Sequence, residues 1–564
     1  MLEFSLLLAF AALPTATQTP VAVDTIYLGG PILTMTDDAP VVEALAVREG
    51  RIVAVGERAT IEPMRSPSTR VIDLGGETLL PGFVDSHGHL MGVGFQSLTA
   101  NLLAAPDGEG NDIAALQRLL REWADANPDL VEAFGAIIGF GWDESQLAEG
   151  RAPTREDLDA VSTEVPVYIV HTSGHLGAAN SKALETYGFS SESEDPPGGV
   201  IRRRAGSSEP DGVLEEAAHF MIIFPLLEQE DAFEERMLLA GMETYASFGF
   251  TTGQEGRAAD SQVDTLARVA ARDGLTIDVV AYPDFFTARA SLDLEVHRRT
   301  YVGGFRVGGA KFGIDGSPQG KTAWRDRPYY VQPEGVNPAY CGYPAYEPGA
   351  LSAGIAECYE RGWQLLGHAN GEAAIDALIT NVAAAQQAFP GQDLRPVLIH
   401  GQFLRADQVP RIDELDIFPS LFPMHTFYWG DWHRDQTRGP VMADDISPTG
   451  WVLARGMRFG THHDAPVALP DSIRVLDATV TRRSRTGDIL GAEHRVPVWT
   501  ALKAMTIWPA YQHFEEADKG TLEVGKLADF VVLSANPLEV DPETLDQLEV
   551  RRTIKRDRVV YEAE

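Results

Sequence analysis

The stretch "TLLPGFVDSHGHL", residues 78–90, closes an apolar run with two histidines separated by one glycine. In an extended segment alternate side chains share a face, so His87 and His89 point the same way and converge on one spot. With only 14 histidines in 564 residues, the pair raises the question of what else faces that spot.

Other apolar runs end in the same style. "WQLLGHAN" reaches His368, "PVLIHG" reaches His400 and "RFGTHHDAP" reaches Asp464, while "GGFRVGGAKFGIDG" carries Lys311. With "FGFTTGQEG", "TIDVVAYP" and "IFPSLFP" these make eight strand-like runs, separated by helix-length amphipathic passages such as "SQVDTLARVAARDG" and "GEAAIDALITNVAAAQQAF". That alternation predicts an α/β fold, a (β/α)8 TIM barrel over residues 81–515, whose active-site face is built from the C-terminal strand ends. Residues from about 96 to 240 break the rhythm and read as a long insertion after the first barrel strand. Short Val/Ile/Leu-rich strands at 23–80 and again at 516–564 predict a small β-sandwich domain formed by both termini.

Four imidazoles and a carboxylate at one mouth are the ligand types of a divalent transition-metal site, with zinc first among them. Any one strand-end histidine alone is more often a hydrogen-bonded structural residue. Five such groups ending four strands of one barrel favour the metal. Lys311 is the odd member, because an ammonium beside a metal cluster is repelled unless it is neutral or converted to an anion such as a carbamate. A pairing with Asp315 is the plainer alternative.

Taken together the motifs resemble the amidohydrolase superfamily, and within it the amidohydrolase-3 branch that includes YtcJ-like proteins and N-substituted formamide deformylases. The resemblance covers nearly the whole chain and rests on "LLPGFVDSHGHL", "GFGWDESQLAEGRAPTREDLDAVSTEVPVYIVHTSGHLGAANSKAL", "PPGGVIRRRAGSSEPDGVLEE", "GAKFGIDGSPQGKTA", "GHANGEAAID", "LIHGQ", "GTHHDAPV" and "KGTLEVGKLADFVVLSANP". It implies that His87 and His89 bind a more buried metal, that His368 and His400 bind a more exposed one, and that Lys311, N6-carboxylated, bridges the two. It implies that Asp464 is both a metal-facing carboxylate and the catalytic base. Where the family often has Gly-Ser-Asp-Ala-Pro, this chain has "GTHHDAPV", which sets His462 and His463 beside Asp464. "TIWPAYQHF" replaces the more usual Thr-x-Asn/Thr-Pro-Ala form, and "MHTFYWGDWHRDQTRG" keeps a histidine, His425, after the seventh strand in surroundings that do not identify a substrate.

The function expected is hydrolysis of a non-peptide C–N bond, in an N-substituted amide, formamide or N-acyl compound, by metal-activated water. Esters, carbamates, lactones and cyclic amides use the same machinery, and an isomerase or dehydratase can use the same metals with Asp464 as proton shuttle. A non-enzymatic solute-binding or metal-storage role is a further alternative. Trp142, His175, Asp315 and His425 are the candidate substrate contacts, with Asp143 and His171 beside them.

Composition narrows the partners. A net charge of −36, from 82 acidic and 46 basic residues, repels nucleic acid and anionic membrane surfaces, leaving a small amide-like molecule as the partner and self-association open. Two cysteines, Cys341 and Cys358, cannot make a disulfide framework. Residues 1–22 have a short apolar core of signal-peptide type but Glu3 as the only charge before it. The expected location is periplasmic or secreted, and cytoplasmic otherwise. No later run reaches the ~18 apolar residues of a spanning helix.

Overall fold

The structure, a computed structural model, describes residues 22–227, 231–293, 299–333 and 336–564. The signal-peptide reading of residues 1–22 lies outside these, apart from its last residue. Among the described residues no helix is long and apolar enough to cross a membrane.

All eight apolar runs form strands: β1 (Phe83–Val84), β2 (Phe250–Ala258), β3 (Asp278–Pro283), β4 (Phe305–Val307, resuming after Gly308 as Gly309–Gly313), β5 (Gln364–Ala369), β6 (Val397–His400), β7 (Phe418–Leu421) and β8 (Gly460–Thr461). Every pairing between neighbours is parallel. One sheet runs from β1 to the first part of β4, and a second from the second part of β4 to β8. A bridge between Asp284 and Lys311 carries the pairing across the break in β4. Past the other edges, Asp464 N donates to His87 O at 3.2 Å and His89 N to Ala465 O at 2.8 Å, which sets the end of β1 against the end of β8.

The strands are apolar because both faces are covered: β3 and β6 are buried at every position, as expected for parallel sheets flanked by helices. Helices Asp260–Ala270, Pro348–Arg361 and Glu372–Ala388 follow β2, β4 and β5 in turn. The last buries Ile375, Leu378, Ile379 and Val382, spaced three or four apart so that one stripe faces the sheet. At the N-terminal strand ends, Arg306 Nη2 meets Glu515 Oε1 at 2.6 Å and Lys555 Nζ meets Asp278 Oδ2 at 2.6 Å, all four side chains buried. Paired, these charges tie the strand floor to the C-terminal segment.

Both termini enter one eight-stranded sheet. Thr78–Pro81 lies antiparallel to Phe530–Leu533, which joins the five strands between Thr25 and Pro81 to the three from Phe530 to Glu562. The insertion builds its own six-stranded sheet, with Leu176–Ala179 and Val167–His171 at its centre and Ile137–Trp142 beside the latter. A separate apolar core including Leu116, Leu120, Trp142 and Ile169 packs against it.

Candidate metal centre

His87 and His89 leave β1 in one direction, His87 fully buried and His89 partly exposed, with ring centroids 5.1 Å apart. Gly88 between them is required by space. A Cβ there would come within 2.2 Å of the Tyr245 hydroxyl and 2.8 Å of Asp85. Their Nε2 atoms lie 3.2 and 3.3 Å from the same oxygen, Asp464 Oδ1, while His400 Nε2 lies 3.8 Å from Oδ2. His400 and Asp464 both hold positive φ, +70° and +53°, a conformation uncommon for residues other than glycine and concentrated at functional sites. His368 stands with its ring 4.5 Å from that of His400, and Lys311 Nζ is 2.9 Å from His87 Nε2. The structure thus draws His87, His89, Lys311, His368, His400 and Asp464, from five strand ends, into one cluster.

The hydrogen bonds behind the cluster set the tautomers. Gln254 Nε2 donates to Ser86 O at 3.2 Å, so its Oε1 accepts from His87 Nδ1 at 2.6 Å and the His87 Nε2 lone pair faces forward. A longer chain does the same for His400. Gln512 Nε2 donates to Ser86 O and its Oε1 accepts from Ser86 Oγ at 2.8 Å. Ser420 Oγ then donates to Ser86 Oγ at 2.6 Å and accepts from His462 Nδ1 at 2.9 Å. That leaves His462 Nε2 to accept from His400 Nδ1 at 3.1 Å, with His400 Nε2 bare. Burial keeps the rings uncharged, pulling His87 down to about 3 and His400 well below the usual imidazole range. Burial also draws the Lys311 amine down to about 7.

A divalent metal fits this donor set. Asp464 Oδ1 is buried and accepts no hydrogen bond, while the bare Nε2 atoms of His87 and His400 face its carboxylate, at Oδ1 and Oδ2 in turn. Donor atoms of His87, His400 and Asp464 all lie within 4.8 Å of one another. Buried anionic oxygen and bare imidazole nitrogen at this spacing are otherwise costly and are the ligands a transition-metal ion takes.

The sequence-derived substrate contacts divide. A cavity of about 260 Å³ opens over the cluster, lined by His89, His175, Lys311, Asp315, His368 and Asp464 among others. Asp315 reaches this cavity but is spent on structure. Its carboxylate accepts from the backbone N–H of Trp324, Asn370 and Gly371 at 2.8–3.0 Å and lies 3.3 Å from His368 Nδ1, so it does not pair with Lys311. Trp142 and His425 are placed elsewhere. Trp142 is fully buried in the insertion core, donating Nε1 to Ile169 O, and His425 is buried with Nδ1 2.9 Å from His433 Nε2. His462 bonds to His400 and Ser420 instead of Asp464. Asp143 and His171 line a neighbouring cavity, which His175 also reaches. Sequence reasoning passed over Gln254, Glu255 and Arg257, although "GQEGRA" ends β2 with three polar side chains. Glu255 accepts from Met91 N at 2.7 Å, and burial raises its carboxyl to about 7.

The model of the amidohydrolase family, Amidohydro_3, matches residues 70–561. YtcJ of Bacillus subtilis is 28% identical over 95% of this chain and 99% of its own length. N-substituted formamide deformylase of Arthrobacter pascens is 25% identical over 92% and 95%. In fold, the chain is similar to a metal-dependent hydrolase from Pyrococcus horikoshii, with a TM-score of 0.73 at 22% identity over 92% of this chain and 99% of that one. From the match across most of its length, this chain belongs to the amidohydrolase family and is an enzyme of the hydrolase class.

Proposed function

We propose that the protein is a metal-dependent hydrolase that cleaves the C–N bond of an N-substituted amide, formamide or N-acyl compound. The observation that carries the reading is Asp464 Oδ1, buried and accepting no hydrogen bond, 3.2 and 3.3 Å from the Nε2 atoms of His87 and His89. The two parallel sheets, bridged at Asp284–Lys311 and by hydrogen bonds between the ends of β1 and β8, are read here as one (β/α)8 barrel with the cluster at its mouth. The shared terminal sheet is read as the companion β-sandwich.

His87 and His89 would hold one zinc-type ion and His368 and His400 a second. Lys311, carboxylated on Nζ, would help to hold them. When bound, such ions lower the pKa of water toward 7 and polarise a carbonyl oxygen. The chain supplies the rest. Asp464 accepts the proton of the attacking water and returns it to the leaving nitrogen, so that one carboxylate serves as base and then acid. Its positive-φ backbone, bonded to His87 O, aims it at the cluster.

The test is hydrolysis of N-formyl and N-acyl amides in H₂¹⁸O by protein of measured zinc content. One solvent ¹⁸O in each released carboxylate is the expected result. Turnover without ¹⁸O would point to an isomerase or dehydratase, and no turnover across a broad amide panel would remove the reading.

A further inference from the structure

One cation in the cavity has no part in the reading above. Arg257, at the end of β2, donates Nε to Asp284 Oδ2 at 2.9 Å. Asp284 is itself fixed, because its Oδ1 accepts from Phe286 N and Thr287 N at 2.9 and 3.0 Å. This contact holds one edge of the guanidinium. The side chain as a whole is 48% exposed and lines the cavity with Lys311 and Asp464. The Tyr346 hydroxyl lies against it. The nearby carboxylates are committed elsewhere: Glu216 to His175 Nδ1 at 2.9 Å and Asp315 to three backbone N–H groups. A guanidinium anchored through Nε, with Tyr346 hydrogen-bonded to it, still has further terminal N–H donors, the groups that pair with a carboxylate.

The same cavity has an apolar wall. It comes from helix Ala217–Leu227, where Phe220 and Phe224 stack with centroids 4.9 Å apart and planes 4° apart, and from Phe95, Phe140 and Val170. Phe224 is 52% exposed, and stacked with Phe220 it gives the cavity a contiguous apolar surface of the kind that marks a ligand-binding groove. The volume of about 260 Å³ falls below the ~300–1,000 Å³ of drug-sized sites, which suits a small molecule.

We propose that the substrate is an N-acyl amino acid with a flat apolar group, its carboxylate held by Arg257 and its apolar group against Phe220 and Phe224. The inference rests on the hydrolase reading and names its substrate class. Water adds its oxygen to the acyl carbon and the C–N bond breaks with its electron pair on nitrogen. The nitrogen takes the proton, releasing a carboxylic acid and a free amino acid.

The test compares N-formylphenylalanine, in both enantiomers, with N-formylphenethylamine, which differs only in lacking the carboxylate. In the wild type kcat/KM is expected to favour one enantiomer of the acid at least tenfold. kcat/KM for that enantiomer should fall about 10- to 100-fold in Arg257→Met, mainly through KM, erasing the preference, and be partly kept in Arg257→Lys. Equilibrium binding gives a readout without turnover. 3-Phenylpropanoate should bind the wild type more tightly than 3-phenylpropanamide and lose about tenfold in Arg257→Met. Hydrolysis of the neutral amide with no preference for the acid, or a preference or binding unmoved by Arg257→Met, overturns the inference and leaves the hydrolase reading intact. Hydrolysis of neither compound, nor of other amides, overturns both.

Discussion

Lys311 Nζ stands 2.9 Å from His87 Nε2, at the point where the His87 lone pair faces forward. A neutral amine there can take up CO₂, and the resulting anion would suit two metals better than any uncharged group. Wild-type protein grown with zinc and bicarbonate is expected to hold about two metals per chain, and Lys311→Ala one or fewer, by plasma mass spectrometry. Equal metal in both would make Lys311 a structural residue.

His462 orients His400 through a 3.1 Å hydrogen bond and passes the polarity on to Ser420. His462→Phe keeps the bulk but removes the acceptor for His400 Nδ1. Zinc affinity is expected to drop about 10- to 100-fold, read by competition with a chelator, with the fold retained by circular dichroism. Unchanged affinity would show that the departure from the family motif at this position has no bearing on the metal.

Asp464→Asn removes the proton acceptor while keeping shape. kcat is expected to fall about 10²- to 10⁴-fold, with most of the metal still bound. Turnover like that of wild type would take Asp464 out of the mechanism.

Trp142 packs in the insertion core, away from the cavity. Trp142→Ala should therefore act on stability, costing about 3–5 kcal/mol as a lower urea midpoint for the transition of the insertion. A selective rise in KM with the midpoint unmoved would return Trp142 to the substrate wall.

His171 carries the pH dependence of the neighbouring cavity. Burial opposes its charge, but Glu144, at 3.1 Å, and Asp143 outweigh that and push it up to about 9. Because the folded value lies above the ordinary value near 6.5, the stabilisation is complete below that value and is lost as pH rises through about 9. Thermal unfolding between pH 7 and 10 should show the wild type losing roughly 1–3 kcal/mol that His171→Gln does not lose. Parallel curves would mean the pair is uncharged.

The fold was legible wherever burial imposes composition. The runs ending at His368 and His400 are apolar because parallel strands bury both faces, and their terminal polar residues stood out for the same reason. Gln254 and Arg257 were not legible, because polar residues at a strand end look alike until the register says which ring nitrogen or cavity they meet. Trp142 and His425 misled in the opposite sense. Trp142 stands in a family motif and His425 just after the seventh strand, yet packing buries the first in the insertion core and the second against His433.

The sequence by itself determined the strand and helix order, the ligand types and the family, since these follow from local periodicity and from residue chemistry. Only the tertiary structure decided that Asp464 Oδ1 stays without a hydrogen-bond partner between His87 and His89, that His462 serves His400, and that Arg257 faces the cavity beside a phenylalanine wall. These relations join residues 33 to 377 positions apart. They depend on parallel register and on how the two sheets meet, which no local pattern encodes.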